Sequence, residues 1–178
     1  RHVGTLINGG PGSGIDKTTD GGRTWMKRTN GLPGVDLGRI GLALAGPNPD
    51  VVYAIVEAAQ DKGGVFRSLD GGLNLEKRDD YMSASPQYYN EIVADPKDAD
   101  RVYSMDTFMM VTEDGGKEWQ RVGWEAKHVD EHALWIDPAA PRHMLTGNDG
   151  IVSETWDRGA NWMFMAQLPV TQFYRVAV

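Results

Sequence analysis

The stretch "TTDGGRTW" (residues 18–25) crowds a threonine, an aspartate, two glycines and a tryptophan into a single turn-sized segment. It returns as Ser68-Leu69-Asp70-Gly71-Gly72-Leu73-Asn74-Leu75, as Thr112-Glu113-Asp114-Gly115-Gly116-Lys117-Glu118-Trp119, and as Thr155-Trp156-Asp157-Arg158-Gly159-Ala160-Asn161-Trp162. Asp20, Asp70, Asp114 and Asp157 are spaced by 50, 44 and 43 residues. An aspartate in a tight turn accepts hydrogen bonds from backbone N–H groups just ahead of it, and glycine supplies a positive φ without steric cost. Trp25, Trp119 and Trp162 then begin the outgoing strand and cover the turn with an apolar plate.

A second pattern keeps step with the first. "IGLALAGPNPDVVYAI" (40–55), "IVADPKDADRVYSM" (92–105) and "LWIDPAAPRHML" (134–145) each run apolar strand, proline turn, apolar strand. One unit therefore reads strand, proline turn, strand, loop, strand, Asp-Gly turn, strand. Four short antiparallel strands in roughly 45 residues is the period of a β-propeller blade. The expected fold is all-β, with blades at about 1–28, 37–78, 88–122 and 132–165. The first blade has three expected strands, at about 3–8, 14–17 and 24–28. Its fourth comes either from 172–178, closing a small ring, or from further blades of a larger propeller; the second is the favoured expectation.

Bulk composition narrows the function classes. A net charge of −7 lacks the basic face that a nucleic-acid partner needs. No apolar run is long enough to span a membrane as a helix. The absence of cysteine removes disulfides and thiolate metal sites. The sequence opens at Arg1 without a charged-then-apolar leader, so any targeting signal is expected to be removed or to lie upstream.

S/T-x-D-x-G-x-T-W resembles the Asp-box, or bacterial neuraminidase repeat, over nearly the whole chain. Within that superfamily "GSGIDKTTDGGRTW" (12–25), "GRIGLAL" with "NPDVVYAIVEA" (38–58) and "HALWIDP" with "TGNDG" (132–150) resemble bacterial sortilin-like and xyloglucanase-like propellers. The second box departs from the pattern with Asn74 and Leu75, and Asp16 stands where an aromatic is usual. Other readings of the opening stretch fare worse. A phosphate loop wants Gly-Lys-Ser/Thr leading into a helix, and a calcium loop wants acids at alternating positions. In the resembled family these turns lie on the rim, away from known sites, so Asp20, Trp25, Asp70, Asp114, Trp119, Asp157 and Trp162 are expected to be structural.

The same resemblance puts ligands on the opposite face, where loops enter the innermost strands and join second to third strands. Those loops carry Asp79, Asp80, Tyr88, Tyr89, Asn90, Lys127, His128, Asp130, Glu131 and His132, then Asp106, Asn148 and Asp149. If 128–132 is extended, His128, Asp130 and His132 project to one side and suit a divalent ion such as Zn²⁺; no other cofactor is expected. A glycosidase needs two facing carboxyl groups, and the candidates are Asp130, Asp149, Glu131 and Asp106. A sialidase is disfavoured, because "LGRIGL" around Arg39 is not the Arg-Ile-Pro motif and no arginine triad is evident. Tyr81, Tyr88, Tyr89 and Trp124 could stack on sugars or anchor a protein, with Asn148 as a polar partner, or pack between blades. His143 reads as ordinary strand surface.

The leading expectation is a non-catalytic glycan- or protein-binding propeller, extracellular or periplasmic. Alternatives are a xyloglucanase-like glycoside hydrolase and a structural subunit that joins an oligomer or larger complex through its open blade edges.

Overall fold

A computed structural model of the chain describes residues 9–123, 125, 127–150 and 152–168. The expected strands at 3–8 and 172–178, and with them the question of ring closure, lie outside the described residues. The rest is all-β apart from one 3₁₀ turn at Ala59–Asp61. A hairpin of β1 (Ile15–Lys17) and β2 (Met26–Arg28) is followed by three four-stranded antiparallel sheets. These comprise β3 (Leu37–Leu44), β4 (Val52–Ala58), β5 (Gly64–Ser68) and β6 (Glu76–Asp79); β7 (Glu91–Ala94), β8 (Val102–Met105), β9 (Met110–Thr112) and β10 (Gln120–Arg121); and β11 (Glu131–Ile136), β12 (Met144–Asn148), β13 (Val152–Thr155) and β14 (Met163–Phe164). Within each sheet the strands are in chain order, the meander of a propeller blade.

The sheets stack face to face, which explains the unbroken apolar run "VVYAIV". Ala54 and Val56 of β4 face backward with Phe66 and Leu75 onto Ile15 and Leu32. Tyr53 and Ile55 face forward with Val65 onto Ile92 and Val102 of the next sheet. Tyr103, Met105, Met109 and Val111 then meet Ile136, Met144 and Trp162. A strand buried on both faces cannot alternate apolar with polar. The first strands of adjacent sheets approach so closely that a Cβ on Gly41 would lie 2.0 Å from the carbonyl oxygen of Asn90.

The repeated turns form as the residue types dictate. Asp20 Oδ1 accepts from Thr18 Oγ1 (2.9 Å), Arg23 N (3.0 Å) and Thr24 N (2.9 Å), while Oδ2 accepts from Thr24 Oγ1 (2.6 Å). The Thr24 hydroxyl and amide, then Thr18, hold the Asp20 carboxyl down at about 2. Asp70 repeats the pattern with Ser68 and Asn74, and Asp157 with Thr155 and Asn161. The last three turns dock on the proline turns of their own sheets: Gly71 N donates to Asp50 O, Gly115 N to Asp100 O and Arg158 N to Arg142 O. Asp-Gly and proline turns therefore share one end of the blades. The tryptophans are covered unequally, since Trp162 is buried and Trp25 is 61 % exposed on the two-stranded hairpin.

Candidate functional site

The opposite end of the blades is built from three loops tied together by buried polar groups. Asp106 accepts from Ala84 N (3.0 Å) and Thr107 N (2.7 Å), clamping the 80–90 loop to the loop after β8. That second loop holds the third, because Asp130 N donates to Thr107 O and Glu131 N to Asp106 O, each at 2.9 Å. Asn90, fully buried at φ 55°, accepts from Ser83 Oγ (2.9 Å) and donates through Nδ2 to Arg39 O (3.0 Å). These contacts span up to 51 residues of sequence, and they fix where Tyr88 and Tyr89 stand.

Four of the residues singled out from sequence meet there. The Tyr89 ring stacks on the His132 imidazole at 5.4 Å, and Tyr88 sets its edge against both, at 5.0 Å from Tyr89 and 4.9 Å from His132. Asp130 Oδ1 receives the Tyr89 hydroxyl in a short hydrogen bond and lies 3.1 Å from His132 Nε2. Burial, and then the bond to Asp130, push the Tyr89 phenol up to about 12, so it stays a donor at neutral pH. Tyr89 is buried, whereas Tyr88 is 54 % exposed. The Arg39 guanidinium holds the carbonyls of Gln87 (3.2 Å) and Tyr88 (3.4 Å) and pairs with Glu91 at 2.8 Å. Tyr88 thus presents an exposed ring on a fixed backbone.

The other candidates are placed differently. Glu131, expected on the loop face, is fully buried; it pairs with Lys127 and accepts from Thr146 Oγ1 at 2.5 Å. Burial draws the Lys127 ammonium down, against the opposing pull of Glu131. His128 lies 2.8 Å from Asp149, both half exposed, and Asn148 Nδ2 donates to the His128 carbonyl at 3.1 Å. Tyr81 is packed in, stacked at 4.8 Å on Trp119. Trp124 lies outside the described residues.

The expected projection of His128, Asp130 and His132 to one side does not occur. It assumed an extended segment, but Asp130 adopts φ 73° and the strand register shifts between Glu131 and Ala133. His132 turns to Asp130 and His128 turns away to Asp149. Among the described residues no group of three His, Asp or Glu is placed to hold a metal ion. The four glycosidase candidates are all engaged: Asp106 by backbone amides, Glu131 by Lys127, Asp130 by Tyr89 and His132, and Asp149 by His128.

Sequence reasoning passed over Arg39 and Thr107 as members of this site. Arg39 could have been found by asking what a cation on an innermost strand pairs with. Thr107 holds Asp130 N through its carbonyl and reaches the Tyr89 hydroxyl through Oγ1 (3.5 Å), contacts across loops that leave no signal in the sequence. His143 is not plain strand surface either. It lies 2.8 Å from Glu154 and stacks on Trp156 at 3.8 Å, at the Asp-Gly end of the last sheet.

No protein-family model and no curated protein matches the chain. Solved structures do. A GH74 enzyme of Niastella koreensis shares 14 % identity over 70 % of this chain and 22 % of its own, with a TM-score of 0.59. The GH74 xyloglucanase of Xanthomonas campestris shares 18 % over 82 % of this chain and 26 % of its own, with a TM-score of 0.58. YCF48 bound to a D1 peptide shares 20 % over 84 % of this chain and 46 % of its own, with a TM-score of 0.54. The chain thus spans less than half the length of each. At these identities the likeness is one of fold, and the chain has the fold of a β-propeller.

Proposed function

We propose that the chain belongs to an exported, non-catalytic propeller of the Asp-box, sortilin-like kind that binds a glycan or protein through the loop face around Tyr88. The observation that carries this reading is the pairing of an exposed Tyr88 ring with carboxylates that are already engaged. A ring held on a fixed backbone offers contact area at little entropic cost, the usual anchor of sugar and peptide ligands. A carboxylate that already accepts a phenol and faces an imidazole is poorly free to shuttle a substrate proton. The peptide-bound YCF48 structure supports a protein ligand, and the GH74 structures support a glycan.

Isothermal titration against xyloglucan oligosaccharides and a peptide library tests the reading. The Tyr88→Ala protein should lose at least tenfold in affinity for whichever ligand binds, with unchanged stability. Full affinity in Tyr88→Ala would move the site elsewhere. The likeness to GH74 xyloglucanases favours a glycoside hydrolase as the second reading. Release of reducing ends from xyloglucan that Asp130→Asn or Asp149→Asn abolishes would establish it.

A further inference from the structure

In the four Asp-Gly turns, the residue after the aspartate is Gly21, Gly71, Gly115 and Arg158. All four are left-handed, with φ of 74°, 70°, 74° and 63°. Only glycine takes this conformation freely, so Arg158 is held against a backbone preference that its three counterparts avoid. Strain of this kind persists only where the surrounding structure over-determines it, and it clusters at ligand sites.

What faces that turn is also different. Two positions on each sheet look toward the turn of the next one. Counting the β1–β2 hairpin as the first sheet, they carry Lys17 and Arg28 on the first, Arg67 and Arg78 on the second (β3–β6), and Val111 and Val122 on the third (β7–β10). The cations fill the first two junctions: Lys17 Nζ donates to Gly71 O (2.6 Å), Arg78 Nε donates to Gly115 O (3.2 Å) and Arg67 pairs with Asp100 (2.5 Å). At the third junction there is a cleft of about 390 Å³, lined by Val111, Val122, Arg101, Arg121, Arg158 and Glu113.

The charge balance of the cleft is positive. Glu113 is paired with Arg101 at 2.6 Å. Asp157, also at the cleft, has both oxygens taken within its turn, by Thr155 and Asn161. Arg142 stands on the adjoining proline turn where Asp50 and Asp100 stand in the earlier sheets. The Nε–H of Arg158 is buried without a hydrogen-bond acceptor among the described residues, whereas that of Arg101 lies 3.8 Å from Asp98 Oδ2. Arg28 and Arg67 share that property in the filled junctions, so it is the strained Arg158 beside an open, valine-floored cleft that singles this place out.

We propose that the cleft between the third sheet and the last Asp-Gly turn binds a small oxyanion, a carboxylate or sulfate group with an apolar edge, with Arg158 as its chief donor. A guanidinium offers paired N–H donors that match such an anion, and the half-buried Val122 accepts the apolar edge. The site lies at the opposite end of the blades from Tyr88 and does not depend on the binding reading above.

The test is an amide NMR titration of the protein with glucuronate and, separately, inorganic sulfate. Saturable shifts at Gly123 and Gly159 are expected with at least one of them; response to sulfate as well as glucuronate shows that any oxyanion suffices, and response to glucuronate alone assigns the site to carboxylates. Arg158→Gly restores the residue used in the other three turns, so it should fold at least as well while weakening binding at least tenfold. Tyr88→Ala should leave this binding unchanged. Absence of saturable shifts with both anions, or undiminished affinity in Arg158→Gly, overturns the proposal.

Discussion

Replacing Glu131 by glutamine should separate a structural acid from a catalytic one. The side chains of Lys127 and Glu131 are 2 % and 0 % exposed, so the pair sits in a water-free setting at the entry to β11. Glutamine keeps the shape and can still accept from Thr146 Oγ1, but it leaves the Lys127 ammonium buried without its counter-ion. Breaking a buried pair from one side costs about 3–5 kcal/mol. The ammonium also lies 5.2 Å from the Trp162 ring, a contact present with either residue at 131, so the full loss of about 3–5 kcal/mol is expected. Out of a typical stability of about 5–15 kcal/mol this is a large and measurable fraction. Urea unfolding followed by tryptophan fluorescence supplies the number. The double substitution Lys127→Met with Glu131→Leu removes both charges and should recover most of the loss, since apolar replacement of a buried pair is often neutral. It should also keep ligand binding at the Tyr88 face. A Glu131→Gln protein destabilised by less than about 1 kcal/mol would refute the reasoning, because such a pair could not be dry.

Other outcomes follow from the turns and the loop face. Asp20 and Asp157 are both held down at about 2 by hydrogen bonds from their own turns, with Thr24 first for Asp20 and Asn161 first for Asp157. Below the ordinary carboxylate range the unfolded chain takes up protons that the folded turns refuse, so stability present above about pH 4 should fall as pH drops toward 2. Carboxyl-carbon NMR titration checks it, and a midpoint at the ordinary aspartate value for either residue contradicts it. Arg158→Gly should raise stability by about 1 kcal/mol through relief of the left-handed backbone, measured by urea unfolding in anion-free buffer. Tyr89→Phe, which strips Asp130 of its phenol donor, should destabilise by about 1 kcal/mol, whereas Tyr88→Ala on the exposed ring should stay within about 0.5 kcal/mol.

Much of the architecture was readable because it is local or periodic. The Asp20 network runs between residues two to four apart, so composition alone dictates it. Strand lengths and proline turns follow from apolar runs and punctuation, and the stacking of both sheet faces follows from the unbroken run at β4. The loop face was legible only as a set of names. Tyr89 and Asp130 are 41 residues apart, and their meeting depends on Asp106, Thr107 and Asn90 holding three loops in register. The left-handed Asp130 and the bulge after Glu131 then redirected side chains that an extended segment would have aligned, which separated His128 from His132 and sent Glu131 inward.

The amino-acid sequence by itself determined the blade repeat, the turn chemistry and the apolar sandwich, because these rest on contacts within one blade and on burial that each strand announces. Tertiary structure alone decided which polar groups are spoken for. Whether Asp106 is a catalytic acid or a loop clamp, and whether Arg158 is a turn residue or the wall of a cleft, turns on partners brought from other blades, and a side chain's chemistry is set by those partners rather than by its neighbours in the chain.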